Sequence, residues 1–154
     1  MNNLIPIIYA STSGNVEATC QHISDLLREA GFETSLHRAE IVDFKVIQES
    51  SVILLATSTW EHGEINPFFN NILGEIEKND LTGKSAGFIG LGDTRYEQVL
   101  FCKGIDILRE AFIKAGGKDL SSPLKINGEP YQYFNTTVLN WTNKLIELLK
   151  NESA

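Results

Sequence analysis

The chain has 154 residues, of which 42% are hydrophobic and 21% are charged, and its formal net charge is −7. This length predicts one domain over residues 1–154, and a domain of this size buries roughly 68–70% of its unfolded surface, so it needs no disulfide or metal to fold. The acidic balance argues against nucleic acid or an anionic membrane as the main partner, because both are negatively charged.

Apolar runs of strand length alternate along the chain with segments of helical periodicity. The predicted strands are 4–10, 34–39, 51–57, 85–91 and 124–126. The predicted helices are 16–30, one that begins at Asn66-Pro67, 102–115 and 135–150. The third and fourth strands hardly alternate between apolar and polar residues, which indicates strands covered on both faces. The order predicts a doubly wound parallel sheet, in which ligands bind beyond the carboxyl ends of the strands.

The loop after the first strand, "STSGNV", combines hydroxyl residues with a glycine and leads into a helix. Free N–H groups and the dipole at a helix N-terminus favour an anion, and Gly14 permits close approach of the backbone. The loop is neither a P-loop, which requires a lysine, nor a dinucleotide-binding glycine fingerprint. It therefore predicts a phosphate site, although the same residues are also typical of a simple helix N-cap.

The loops after the third and fourth strands, "STWEHGEIN" and "GLGDTRYEQVLFC", each place an aromatic residue in a polar setting. Trp60 and Tyr96 would form a surface on which a flat ring stacks. The alternative for Trp60 is a loop side chain folded back onto the core, and we expect Trp141, on the apolar stripe of the last helix, to lie in the core. A phosphate site beside a ring site describes a mononucleotide-like ligand.

The motifs "STSGNV", "STWEHGE" and "GLGDTRY", in this order and at these spacings, resemble the flavodoxins. The tail "LKINGEP", followed by a final helix, is similar to the short-chain group of that family. The resemblance covers nearly the whole chain. It implies a flavodoxin-like five-stranded parallel sheet of order 2-1-3-4-5, a non-covalent FMN cofactor and one-electron transfer.

The resemblance also implies which residues hold the FMN phosphate. They are Ser11, Thr12, Ser13, Gly14, Asn15 and Val16 of the first loop, helped by Ser58 and Thr59. Val16 departs from the family pattern, which usually has threonine there, so only its backbone N–H can serve. The absence of lysine and arginine from the loop keeps positive charge away from the flavin, which a low-potential carrier requires.

For the flavin ring, the resemblance implies a position between Trp60 and Tyr96. The peptide between Glu61 and His62 would lie near flavin N5, and Gly92 and Asp93 would meet the pyrimidine end. The remaining members of the implied cofactor-binding set are Gly63 and Leu91.

The function implied is a low-potential electron carrier that docks transiently on a basic-surfaced, NAD(P)H-linked reductase and on redox acceptor proteins. Two alternatives stay open, namely a stand-alone FMN-dependent reductase of the quinone type and a flavin-free module that binds a protein.

Simpler expectations complete the sequence analysis. The two cysteines make no disulfide framework, and we expect Cys102 to be packed rather than reactive. No two histidines have metal-ligand spacing, so we expect no metal site. The short N-terminal apolar run fits neither a signal peptide nor a membrane span, and we expect a cytoplasmic monomer. Pro6 lies inside the first predicted strand, where a residue without an N–H normally weakens the ladder.

Overall fold

The computed structural model describes residues 4–59, 64–92 and 102–153, with side chains as far as residue 151. Its strands are β1 (Leu4–Ala10), β2 (Glu33–Arg38), β3 (Val52–Ser58), β4 (Ser85–Gly92), β5 (Lys118–Asp119) and β6 (Leu124–Asn127). Its helices are α1 (Asn15–Glu29), α2 (Lys45–Gln48), α3 (Asn70–Lys78), α4 (Lys103–Lys114) and α5 (Leu139–Ser153).

The strands form one parallel sheet in the order β2-β1-β3-β4-β5, and β6 also pairs with β4. β5 lies beside the start of β4 and β6 beside its end, where Ile89 to Gly92 face Leu124 to Asn127. The two short strands therefore share the fifth position of the sheet. The predicted five-position order 2-1-3-4-5 is confirmed, and the fifth strand is interrupted where Pro123 has no N–H to donate.

Two cores cover the two faces of the sheet. Ile7 of β1 packs in the core beneath α1 and α5, whereas the next residue, Ile8, packs in the core beneath α2, α3 and α4. Adjacent residues of a strand point to opposite faces, so a strand buried on both sides must be apolar at successive positions. This is why the predicted strands do not alternate.

Pro6 lies in β1 directly before the first residue that pairs with β3. The Ala39 amide donates to Tyr9 O, so the backbone groups of Tyr9 face β2. Backbone groups of successive residues face opposite neighbours, which turns the Pro6 nitrogen towards β3. Pairing between β1 and β3 begins at Ile7, directly after the proline. The missing N–H therefore falls at the end of this ladder and not within it.

The last predicted helix differs from the observed one. Residues Phe134–Val138 form a π-helical turn before α5 begins at Leu139. Leu145 and Leu149 are buried and Leu148 is only partly buried, because a spacing of four residues continues the apolar stripe. Trp141 is only half-buried: its ring packs against the core and its Nε1–H donates to Ser122 O at 2.8 Å.

Within the described residues, no helix is long and apolar enough to cross a membrane.

The first turn of α4 approaches the end of β3 closely enough to require a glycine. A Cβ on Gly104 would lie 2.9 Å from Ser58 O and 3.3 Å from Thr59 Cα, whereas a Cβ on Gly74 of α3 would meet nothing within 4 Å. We expect Gly104→Ala to lower the free energy of unfolding by about 1–3 kcal/mol, because α4 must move away from β3. Gly74→Ala should raise it by about 0.5–1 kcal/mol, since alanine favours helix. Urea unfolding of both variants measures the difference, and equal changes would contradict the close contact.

Candidate functional site

A cavity of about 360 Å³ opens at the carboxyl edge of the sheet. Its lining residues follow or end four different strands, and they are Ser13, Asn15, Val16, Ser58, Thr59, Leu91, Gly92, Gly128 and Glu129. The volume lies in the range of small-molecule sites. The structure thus brings the loop after the first predicted strand together with the described ends of the third and fourth strands around one cavity.

The loop between β1 and α1 is shaped by Ser11. This side chain is buried, and its Oγ accepts hydrogen bonds from the amides of Gly14 at 3.1 Å and Glu17 at 3.4 Å. Gly14 has a φ of 91°, a left-handed conformation that glycine adopts without strain. Its carbonyl accepts the Ala18 amide at 2.9 Å and so begins α1. Ser11 therefore stabilises the loop through these two hydrogen bonds.

The groups that the loop presents outward are different ones. The hydroxyls of Thr12 and Ser13 are exposed, and Ser13 lines the cavity. The amides of Asn15 and Val16 lie in the first turn of α1, where a helix leaves its N–H groups without intrahelical acceptors. The Val16 side chain is 2% exposed and packs in the core, so at the cavity this residue offers mainly its backbone. The arrangement can hold an anion with neutral donors.

The end of β3 adds two hydroxyls whose oxygens are already engaged. Asn66 Nδ2 donates to Ser58 Oγ at 3.2 Å, and the Gly104 amide donates to Thr59 Oγ1 at 3.1 Å. Asn66 is fully buried, and its Oδ1 accepts the Phe68 amide at 3.0 Å, so it caps the 3-10 turn Pro67–Phe69 that precedes α3. The helical segment predicted to begin at Asn66-Pro67 is therefore confirmed. Each hydroxyl oxygen accepts one hydrogen bond and keeps its own O–H for donation.

Gly128 and Glu129 were not among the predicted site residues. Sequence analysis considered the loops after the first, third and fourth strands and omitted the one after the fifth. β6 runs parallel to β4, so it ends at the same edge, and the Gly128 amide donates to Gly92 O at 2.8 Å. The strand order itself predicts this placement, because every parallel strand of a doubly wound sheet delivers its carboxyl end to that edge.

Arg38 is a third residue that was not predicted from the sequence. It ends β2, and its Nη2 donates to Ser11 O at 3.1 Å; neither residue is among those that line the cavity. Its guanidinium also pairs with the carboxylates of Glu17 and Glu40 and lies over the ring of Tyr9. The described lining of the cavity contains no lysine, arginine or histidine, and Glu129 supplies a carboxylate. The described part of the lining therefore carries one carboxylate and no basic side chain.

Six predicted cofactor-binding residues lie outside the described residues: Trp60, Glu61, His62, Gly63, Asp93 and Tyr96.

Cys102, next to the cavity wall, is packed as expected. It is fully buried at the start of α4, and burial raises the pKa of its thiol to about 12. Its Sγ lies 4.0 Å from Ile126 O. A thiol that stays protonated at neutral pH is a poor nucleophile. Among the described residues, no group of three or more histidine, cysteine or carboxylate side chains could hold a metal ion.

Comparison with known proteins shows similarity over most of the chain. The family model for flavodoxin matches residues 7–141. The chain is 35% identical over 128 residues to "Probable flavodoxin 2" of Bacillus subtilis, covering 82% of this chain and 83% of that protein. It is 31% identical to "Protein MioC" of Escherichia coli K12, covering 95% of this chain and 98% of that protein. The crystal structure of oxidised flavodoxin 2 from Bacillus cereus superposes with a TM-score of 0.86 at 30% identity, covering 93% and 97% of the two chains.

The hydrogen bonds of the first loop separate a supporting serine from a cavity-lining serine. We expect Ser11→Ala to lower the free energy of unfolding of the ligand-free protein by about 1–2 kcal/mol, because two amides lose their acceptor. Ser13→Ala should change it by less than about 0.5 kcal/mol, since that side chain is exposed. Thermal or urea unfolding of the two variants gives the comparison. Equal destabilisation would mean that Ser11 does not hold the loop.

Proposed function

Because the chain belongs to the flavodoxin family, we propose that it is a low-potential carrier of single electrons between an NAD(P)H-linked reductase and acceptor proteins. As a member of this family it is an FMN-binding electron-transfer protein and not a stand-alone catalyst. The observation that carries the proposal is the cavity at the carboxyl edge of β1, β3, β4 and β6, which pairs a helix N-terminus with hydroxyl donors.

The donor set of this cavity fits the phosphate of FMN. A phosphate accepts hydrogen bonds only, and the first loop offers amides and hydroxyls that donate them. We assign the phosphate to the amides of Asn15 and Val16, with the Ser13 hydroxyl and the O–H groups of Ser58 and Thr59. In this assignment Ser11 and Gly14 give the loop its shape, and Thr12 adds an exposed hydroxyl.

The flavin ring is assigned to the outer part of the same edge. Leu91 and Gly92 end β4 at the cavity and would meet the ring. The residues proposed to complete its environment are Trp60 and Tyr96 on its two faces, Glu61, His62 and Gly63 near N5, and Asp93 at the pyrimidine end. FMN supplies the one-electron redox chemistry when bound. The protein binds and orients it and covers its faces.

The charge of the site favours a low potential. Reduction adds negative charge to a bound flavin, and nearby cations stabilise that charge whereas nearby anions oppose it. The described lining carries the Glu129 carboxylate and no basic side chain. Neutral donors can therefore bind the phosphate without stabilising the reduced state of the ring.

The overall charge of −7 favours basic-surfaced partners. Complementary charge increases the association rate of a transient complex more than its affinity, which suits a carrier that must leave quickly. We propose that the chain acts in the cytoplasm as a monomeric single domain, and that both its reductase and its acceptors present basic docking faces.

A reconstituted electron-transfer chain tests the proposed function. The isolated protein should contain about one FMN per chain and consume no NAD(P)H by itself. With a basic NADPH-dependent flavodoxin reductase it should pass electrons to cytochrome c. The rate should fall as salt rises above about 0.1 M, where the screening length is roughly 10 Å. Steady NAD(P)H oxidation without the reductase, or a protein that binds no flavin, would overturn the proposal. An electron-transfer rate independent of salt would contradict only the proposed electrostatic docking.

The Ser13 hydroxyl provides a test of the phosphate assignment. We expect Ser13→Ala to weaken FMN binding about ten- to hundredfold, since one hydrogen bond to a charged group contributes about 1.5–3 kcal/mol. Riboflavin, which lacks the phosphate, should bind wild type and variant alike. Quenching of flavin fluorescence during titration of the flavin-free protein gives both dissociation constants. Equal loss for the two ligands would place the anion site elsewhere.

A further inference from the structure

We propose that Arg38 is a positioning residue for the anion-binding loop, acting through the geometry of its guanidinium rather than through attraction of the ligand. The proposal rests on the proposed function, because the loop is the one assigned to the FMN phosphate. Arg38 ends β2, contacts the loop at Ser11 O and is not among the residues that line the cavity.

The guanidinium of Arg38 connects both ends of the loop. Its Nη2 donates to the carbonyl of Ser11, the first loop residue, at 3.1 Å. Its Nη1 donates to Oε2 of Glu17, in the first turn of α1, at 3.1 Å. Its Cζ lies 5.7 Å from the centroid of the Tyr9 ring, within cation–π distance. One planar group thus joins β1, the loop and α1.

Ser11 transmits this contact to the amides of the loop. Its carbonyl is held by Arg38, and its Oγ accepts the amides of Gly14 and Glu17. A shift of Ser11 would therefore move the start of α1, and with it the unpaired amides of Asn15 and Val16. The contact between Arg38 and the Ser11 carbonyl therefore sets the direction of the amide donors of Asn15 and Val16.

Charge attraction is a poor explanation for the placement of Arg38. Its single positive charge is shared by two carboxylates, Glu17 at 3.1 Å and Glu40 at 3.3 Å, so the cluster carries a net negative charge. The Arg38 side chain is 38% exposed and that of Glu17 is 50% exposed, so water screens the pair. The remaining explanation for the placement of Arg38 is the geometry of its guanidinium. A guanidinium donates in several directions within one plane, which an ammonium cannot reproduce.

Two variants give opposite results under the two explanations. Arg38→Lys keeps the positive charge but loses the planar set of N–H donors, and Glu17→Ala removes a negative charge beside the proposed anion site. If Arg38 attracts the ligand by its charge, Arg38→Lys should leave FMN affinity unchanged and Glu17→Ala should increase it. If Arg38 positions the loop, both variants should weaken FMN binding, by about tenfold for Arg38→Lys, and both should leave riboflavin affinity unchanged. Glu33→Ala, an exposed carboxylate at the opposite end of β2, is the matched control and should change neither affinity.

Amide hydrogen exchange of the flavin-free protein supplies a readout that is independent of cofactor. The amides of Gly14 and Glu17 should exchange faster in Arg38→Lys and Glu17→Ala than in wild type, and at the wild-type rate in Glu33→Ala. The proposal stands only if both variants speed this exchange and weaken FMN binding, and any other pattern overturns it. If wild type binds no FMN, the proposed function fails, and unchanged exchange rates would then overturn the role of Arg38 separately.

Discussion

The parallel pairing of the strands determines where polar side chains of this chain can meet. β1, β3, β4 and β6 all run in one direction, so the residues that follow them reach the same edge although they are far apart in sequence. Both faces of the sheet are occupied by core, which leaves that edge as a place where polar groups of several strands converge. The cavity, with Ser13 from one end of the chain and Glu129 from the other, is a consequence of this pairing.

The hydrogen bonds of the edge divide its polar groups into two classes. Ser11, Asn66 and Gly104 are used within the protein, where they hold the first loop and the end of β3 in place. Ser13, and the O–H groups of Ser58 and Thr59, remain available to a ligand. A site whose acceptors are satisfied internally presents donors, and this supports the proposed assignment of the phosphate.

The five strands predicted from the sequence lie within one residue of observed strands, most clearly β1, β3 and β4, which are apolar runs bounded by turn residues. The strand β5 was not predicted, because its two residues show no periodicity. It also predicts the convergence of three loops, since that follows from parallel pairing alone. It does not predict Arg38, whose importance depends on the register that places it opposite Tyr9. Glu129 was not predicted, although β6 and the strand order that places it at this edge were. The environment of Pro6 depends on where pairing with β3 begins, which no pattern within β1 reveals.

The electrostatics of the edge follow from the same geometry. A lysine or arginine in the first loop would bind phosphate more strongly, but it would also stabilise extra electrons on a ring held nearby. In this chain the arginine that contacts the loop is not among the residues that line the cavity, and Glu17 and Glu40 compensate its charge. In the role proposed for it, the guanidinium organises the loop while carboxylates balance its charge. The attraction for an anion then comes from the backbone amides and the positive end of the α1 dipole, and not from a cationic side chain.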